Sequence, residues 1–147
     1  MKYLCFIISV LLFCSFAVAS DDSPAFSPNV NWDQFSVNLV KAIKSGHPGL
    51  QQSAMQRIIQ YSDKLDVKDA VYDIALIFRY DDNPAMRRMA LVTLYKIGTD
   101  HSVSYLCQNM KFEENDSVKR QCCQAIQRYI ADRNVETSDK VVLISSK

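Results

Sequence analysis

From Asn31 onward, apolar residues return every three or four positions, the period of one face of an α-helix. Trp32, Phe35, Leu39 and Ile43 make the first such stripe, with Asn31 placed to cap it and Gly46 to end it. The second opens at Pro48, which suits a first helical position because its missing N–H has no intrahelical partner there. It continues through Leu50, Ala54, Ile58 and Tyr61, and Asp63 to Asp66 interrupts it. Val71, Ile74, Ala75 and Phe78 share one face of the next helix, predicted over Asp66–Tyr80. Asp81-Asp82-Asn83-Pro84 then reads as a turn, a cap and another N1 proline, opening a helix that carries Met86, Ala90, Leu94 and Ile97 and ends at Gly98. A short helix from His101 to Met110 aligns Val103, Leu106, Cys107 and Met110. After a turn at Glu113 to Asp116, the residues Val118, Cys122, Ile126 and Tyr129 line a last long helix. The pattern predicts an all-α fold of about six helices occupying residues 31–133, preceded by a flexible lead-in over 20–30 and followed by a tail over 134–147.

The segments repeat. His47-Pro48-Gly49-Leu50 aligns with Asn83-Pro84-Ala85-Met86 and with Asn115-Asp116-Ser117-Val118. Ala54 falls on Ala90 and Cys122, Ile58 on Leu94 and Ile126, and Tyr61 on Ile97 and Tyr129. The offsets are 36 and then 32 residues, within the roughly 20–50 that marks stacked repeats. Asn83-Pro84, Met86-Arg87-Arg88, Ala90, Leu94, Ile97-Gly98, Asp100, Val103 and Leu106 together resemble a HEAT repeat, of the short kind common in bacteria, and the resemblance covers residues 45 to 132. The first unit departs from it with Gln51-Gln52 in place of the basic pair; the third has Lys119-Arg120 but lacks the proline and the closing glycine. The resemblance implies a short right-handed α-solenoid of antiparallel helix pairs.

It also implies a role for the basic pairs. Arg87 and Arg88 lie just off the buried stripe, where their stems can follow apolar surface and their heads reach the edge of the stack. One of each pair, Arg87 or Arg88 and Lys119 or Arg120, is expected to meet an acidic residue or a helix-end carbonyl of the adjacent unit, with Asp63, Asp100 and Asp116 as candidate partners. A binding role for these arginines is the other reading, since arginine is favoured at interfaces. In a solenoid the ends need capping, and the Trp32 helix is placed to cap the first. The apolar stretch Val141-Val142-Leu143-Ile144 has three open fates: folding back over the other end, pairing as a strand with another chain, or remaining unordered.

Composition changes the picture at the N-terminus. Lys2, an apolar run from Leu4 to Phe16 and Ala17-Val18-Ala19 before Ser20 read as a signal peptide over residues 1–19. The other reading is an uncleaved anchor. Cys14 follows the bulky Phe13, which argues against a lipid anchor. Cleavage near Ser20 would place the chain in the periplasm or outside the cell with no remaining membrane span. It would also leave sixteen basic and sixteen acidic residues. A chain of zero net charge carries no electrostatic footprint for a polyanion, so nucleic acid is not expected as a partner.

Candidate chemistry is sparse. Cys107, Cys122 and Cys123 remain after cleavage, too few for a disulfide scaffold. Burial of small apolar thiols and a Cys107–Cys122 bridge are both open, the latter resting on the helix neighbours that the resemblance implies. His47 and His101 head different units, and neither is followed by the glutamate that a HEAT-like di-iron site requires, so no metal or other cofactor is expected. The three glycines, Gly46, Gly49 and Gly98, make no phosphate loop, and the sequon Asn115-Asp116-Ser117 is too short a match to carry weight. A binding surface fits better. Asp69, Tyr72, Asp73 and Leu76 fall off the predicted core with helical spacing, and Tyr105 and Gln108, beside Ser104, hold matching positions on the next short helix. By the resemblance these helices line the concave side of the stack, and tyrosines offer large contact area with few torsions to freeze. An ordinary solvated face is the plainer reading. The expected function is a non-enzymatic, exported adaptor or scaffold for a protein or peptide of the cell envelope. The alternative is an enzyme or enzyme accessory like the bilin-lyase branch of HEAT proteins.

Overall fold

The computed structural model describes residues 30–145, with side-chain surroundings given as far as Asn134. The predicted signal segment 1–19 lies outside the described residues, as does all of the lead-in but Val30. Four of the six α-helices begin where a side chain takes an orphan N–H. Asn31 Oδ1 accepts from Gln34 N at 2.9 Å and opens α1, Trp32–Lys44. α2, Pro48–Gln60, and α4, Pro84–Ile97, both start on proline, and Asn83 Oδ1 caps the latter by accepting from Ala85 N at 2.9 Å. α3, Val71–Tyr80, is preceded by a 3₁₀ turn at Lys68–Ala70; Asp66 and Val67, which the sequence placed in this helix, lie before it in non-helical chain. Thr99 caps α5, Asp100–Asn109, which runs into a second 3₁₀ turn at Met110–Phe112. Asn115 Oδ1 accepts from Ser117 N and Val118 N at the start of α6, Asp116–Ser145. Gly98 ends α4 in the left-handed conformation, φ 61°, with its N–H returned to Leu94 O. The described residues are thus all-helical, with six α-helices and no strand.

The turns ahead of α2, α4 and α6 are built alike. Ser45 Oγ accepts from His47 N at 3.2 Å, Asp81 Oδ1 from Asn83 N at 2.8 Å and Glu113 Oε1 from Asn115 N at 2.8 Å. In each, a side chain two residues upstream holds the N–H of the residue before the helix. The third residue past each proline also acts alike in α2 and α4: Gln51 Nε2 donates to Ile43 O at 3.0 Å, and Arg87 Nη1 donates to Asp81 O at 2.8 Å. Both close an open carbonyl at or just past the end of the preceding helix.

α4 is the centre of the packing. It lies along α3, beside α2 and α6, and touches α5; α1 packs on α2 and more lightly on α3, and α5 contacts α3 and α6. The core runs without a break from Leu39 to Ala125. Ala54 is 2% exposed, Ala90 0% and Cys122 0%. Three equivalent positions are therefore equally closed, and all need a small side chain.

Two expected core positions lie elsewhere. Leu50 is half exposed, although its counterpart Met86 is buried; the first turn of α2 turns Gln51, not Leu50, toward the end of α1. Cys107 is exposed, because α5 meets its neighbours with Ser102, Val103 and Leu106. Conversely, Met55 and Leu91, one position past Ala54 and Ala90, are buried as well. A helix with partners on several sides buries a band wider than one stripe. Beyond residue 133 the backbone of α6 runs on through Ser145, so Val141–Ile144 is helical and not a strand. The sequence from Asp116 to Ser145 contains neither glycine nor proline to stop it. Among the described residues, no helix is long and apolar enough to cross a membrane.

Candidate functional site

The 3₁₀ turn and α3 present one exposed edge. Asp69, Tyr72 and Leu76 are exposed and Asp73 half-buried, while Val71, Ile74, Ala75, Ile77 and Phe78 face inward. Tyr72 is 57% exposed, so its ring is not there to fill the core. α5 supplies the neighbouring edge. Tyr105 is half-buried and stands edge-on to Tyr72, with ring centroids 6.2 Å apart; His101, one turn back on α5, meets Tyr105 edge-on at 4.9 Å. Offset and T-shaped pairs in this range are mutually favourable, so three rings from two helices hold one another as a platform. Gln108 is exposed and donates to Ser104 Oγ at 3.1 Å, one turn along the same helix. His101 belongs to the platform although its place at the head of a unit gave no reason to put it there; its i, i+4 spacing to Tyr105 was the available signal.

The loop that starts α3 is anchored. Ser36, buried on α1, donates its hydroxyl proton to Trp32 O at 2.8 Å and accepts from Asp66 N at 3.1 Å. This fixes the start of the exposed edge against α1. At the far end of α3, the Arg79 guanidinium lies 4.2 Å from the centroid of Phe112 and 5.3 Å from that of Tyr80, both rings exposed.

The basic residues divide. Arg87 forms a two-pronged pair with Glu113, Nε to Oε2 and Nη2 to Oε1, each at 2.8 Å, and both side chains are largely withdrawn from water. Glu113 is the partner, rather than Asp63, Asp100 or Asp116. The hydrogen bond from Arg87 holds the Glu113 carboxyl below its usual range, against the burial that pushes it up, and the same bond raises Arg87. Asp100 takes a different partner, accepting from Tyr129 Oη at 2.8 Å and pairing with Arg133. Arg88, Lys119 and Arg120 are exposed and form no ion pair with another described residue.

The three cysteines of the described residues, Cys107, Cys122 and Cys123, are free thiols. Cys122 is buried with Sγ 3.8 Å from Leu106 O, and burial pushes its pKa up to about 12. Cys123 Sγ lies 3.1 Å from Met110 Sδ. With Cys107 exposed on α5 and Cys122 turned into the core, the Cys107–Cys122 bridge is not formed. Among the described residues, no group of three histidine, cysteine or acidic side chains gathers closely enough to hold a metal ion. No model of a known protein family matches the chain, and no curated protein matches it at a significant level.

Proposed function

We propose that the chain is an exported, HEAT-like helical-repeat adaptor that binds a protein or peptide of the cell envelope on the face formed by α3 and α5. The repeat reading is supported by the likeness of the turns at Ser45, Asp81 and Glu113 and by the equal burial of Ala54, Ala90 and Cys122. In that reading α2, α4 and α6 form one layer of a short right-handed solenoid and α1, α3 and α5 the other. The observation that carries the binding role is the ring platform: Tyr72 and Tyr105 meet across two helices while Tyr72 stays mostly exposed. A large rigid ring held ready at the surface loses little conformational freedom when a partner covers it.

The test is crosslinking of the full chain in its native compartment, with identification of what is captured. The double substitution Tyr72→Ala and Tyr105→Ala is expected to abolish that capture while leaving the helical circular-dichroism spectrum unchanged. Capture that survives in the folded double variant would move the binding site off this face.

A further inference from the structure

The face beside Tyr72 is flanked on one side by carboxylates. A recess of about 300 Å³ lies between the first turns of α1 and the 3₁₀ turn before α3, walled by Asp33, Ser36, Val37, Asp66, Lys68 and Asp69. Three of the six walls are carboxylates. Asp73 adds a fourth one turn beyond Asp69, next in sequence to Tyr72. The chain as a whole has a formal charge of only +1, so this gathering is local, not a reflection of composition. First-turn carboxylates also offset a helix dipole, and that accounts for Asp33 and Asp73 singly. Asp66 and Asp69 stand outside both α-helices, in and before the 3₁₀ turn, and close the recess between them. The one cation in the wall of this recess, Lys68, lies 3.5 Å from Asp66 with both side chains well exposed, a pair weak enough to exchange for another cation. Asp33 and Asp69 form no ion pair with another described residue. Val37, 47% exposed on the wall of the recess, gives it an apolar side continuous with the 3₁₀ turn.

Resting on the adaptor reading above, we infer that the partner presents a basic segment: an apolar side chain laid against Tyr72, Leu76 and Tyr105, and a neighbouring lysine or arginine entering the recess at Asp33, Asp66 and Asp69. The rings supply contact area. The carboxylates supply the preference, because an acidic segment would bring like charges together in a site already short of cations. The guanidinium that Arg79 lays over Phe112 lies at the other end of α3, so it leaves the recess free for a partner's cation.

Selection of random short peptides on the full-length folded chain tests this. The wild-type protein is expected to enrich peptides that pair lysine or arginine with an apolar residue. Their affinity should fall by about tenfold or more in a charge-reversed variant, Asp66→Lys with Asp69→Lys, as expected when like charges are juxtaposed, and that variant should enrich acidic peptides instead. Enrichment of acidic or uncharged peptides by the wild type, lost in the folded Tyr72→Ala, Tyr105→Ala variant, would overturn the basic segment and leave the adaptor face standing. The same peptides enriched by the wild type and by that tyrosine variant would remove the face itself, and this inference with it.

Discussion

Cys107, Cys122 and Cys123 sit within one stretch of helix contact, yet their surroundings separate them. Only a thiolate attacks an alkylating reagent, so reactivity follows exposure and the ease of losing the proton. Cys107 is open to solvent. Cys122 is closed off, and its proton is held by burial up to a pKa of about 12. Brief treatment of the native protein with iodoacetamide at pH 8 is therefore expected to modify Cys107 first and leave Cys122 intact, with Cys122 labelled only after denaturation. Peptide mass mapping reads this directly. Early label on Cys122, or no label on Cys107, would mean that α5 and α6 meet differently. The same residue shows why small side chains recur. At 0% exposure, Ala90 has no room for growth, and a leucine there would force its neighbours off their rotamers.

The link between α4 and the turn before α6 is the Arg87–Glu113 pair. Glu113 does two things at once: it accepts from Asn115 N, shaping the turn, and it neutralises a guanidinium that also closes the end of α3. Removing one partner leaves the other charge withdrawn from water and unpaired, and such losses run to about 3 kcal/mol or more. Glu113→Ala is expected to cost about that much in urea unfolding. The pH dependence follows from the direction of the shift. The folded protein holds the Glu113 carboxyl below its ordinary range, so this stabilisation is complete above the unfolded carboxylate value and is lost as pH falls through the depressed folded one. The variant should lack that component of acid destabilisation. Arg87 is raised, so it stays charged throughout this window and adds no slope there. An unchanged acid limb in the variant would show that the pair is not a net stabiliser. Of all this the sequence disclosed the arginine but not its partner. Position 87 was marked by its place just off a stripe, whereas Glu113 lies in a turn, where sequence periodicity says nothing about which way a side chain points. Likewise the helices, their caps at Asn31 and Asn83 and the glycine stop at Gly98 followed from local rules. The exposure of Leu50 and Cys107 did not, since each depends on which neighbour the helix meets, and stripe position alone does not specify that.

Taken as one body, the described chain has its core joined end to end from Leu39 to Ala125, with α4 touching α2, α3, α5 and α6. On the proposed repeat reading, the terminal helix is as necessary as the middle ones, because its loss uncovers the face it was closing. α6 contributes Val118, Cys122 and Ala125 to the core. A chain ending at Asn115 would keep Arg87 and Glu113 but lose these three, and it would bare the apolar sides of α4 and α5 that α6 covers. Each large buried side chain is worth roughly 1.5–3 kcal/mol, against a total stability of about 5–15 kcal/mol for an ordinary domain. Loss of a whole helix face is therefore expected to leave the remainder aggregating or only partly folded, with a lower and broader thermal transition by circular dichroism. A truncated chain that melts sharply at the full chain's temperature would mean that α1 to α5 are self-sufficient and that α6 rests on the core without completing it.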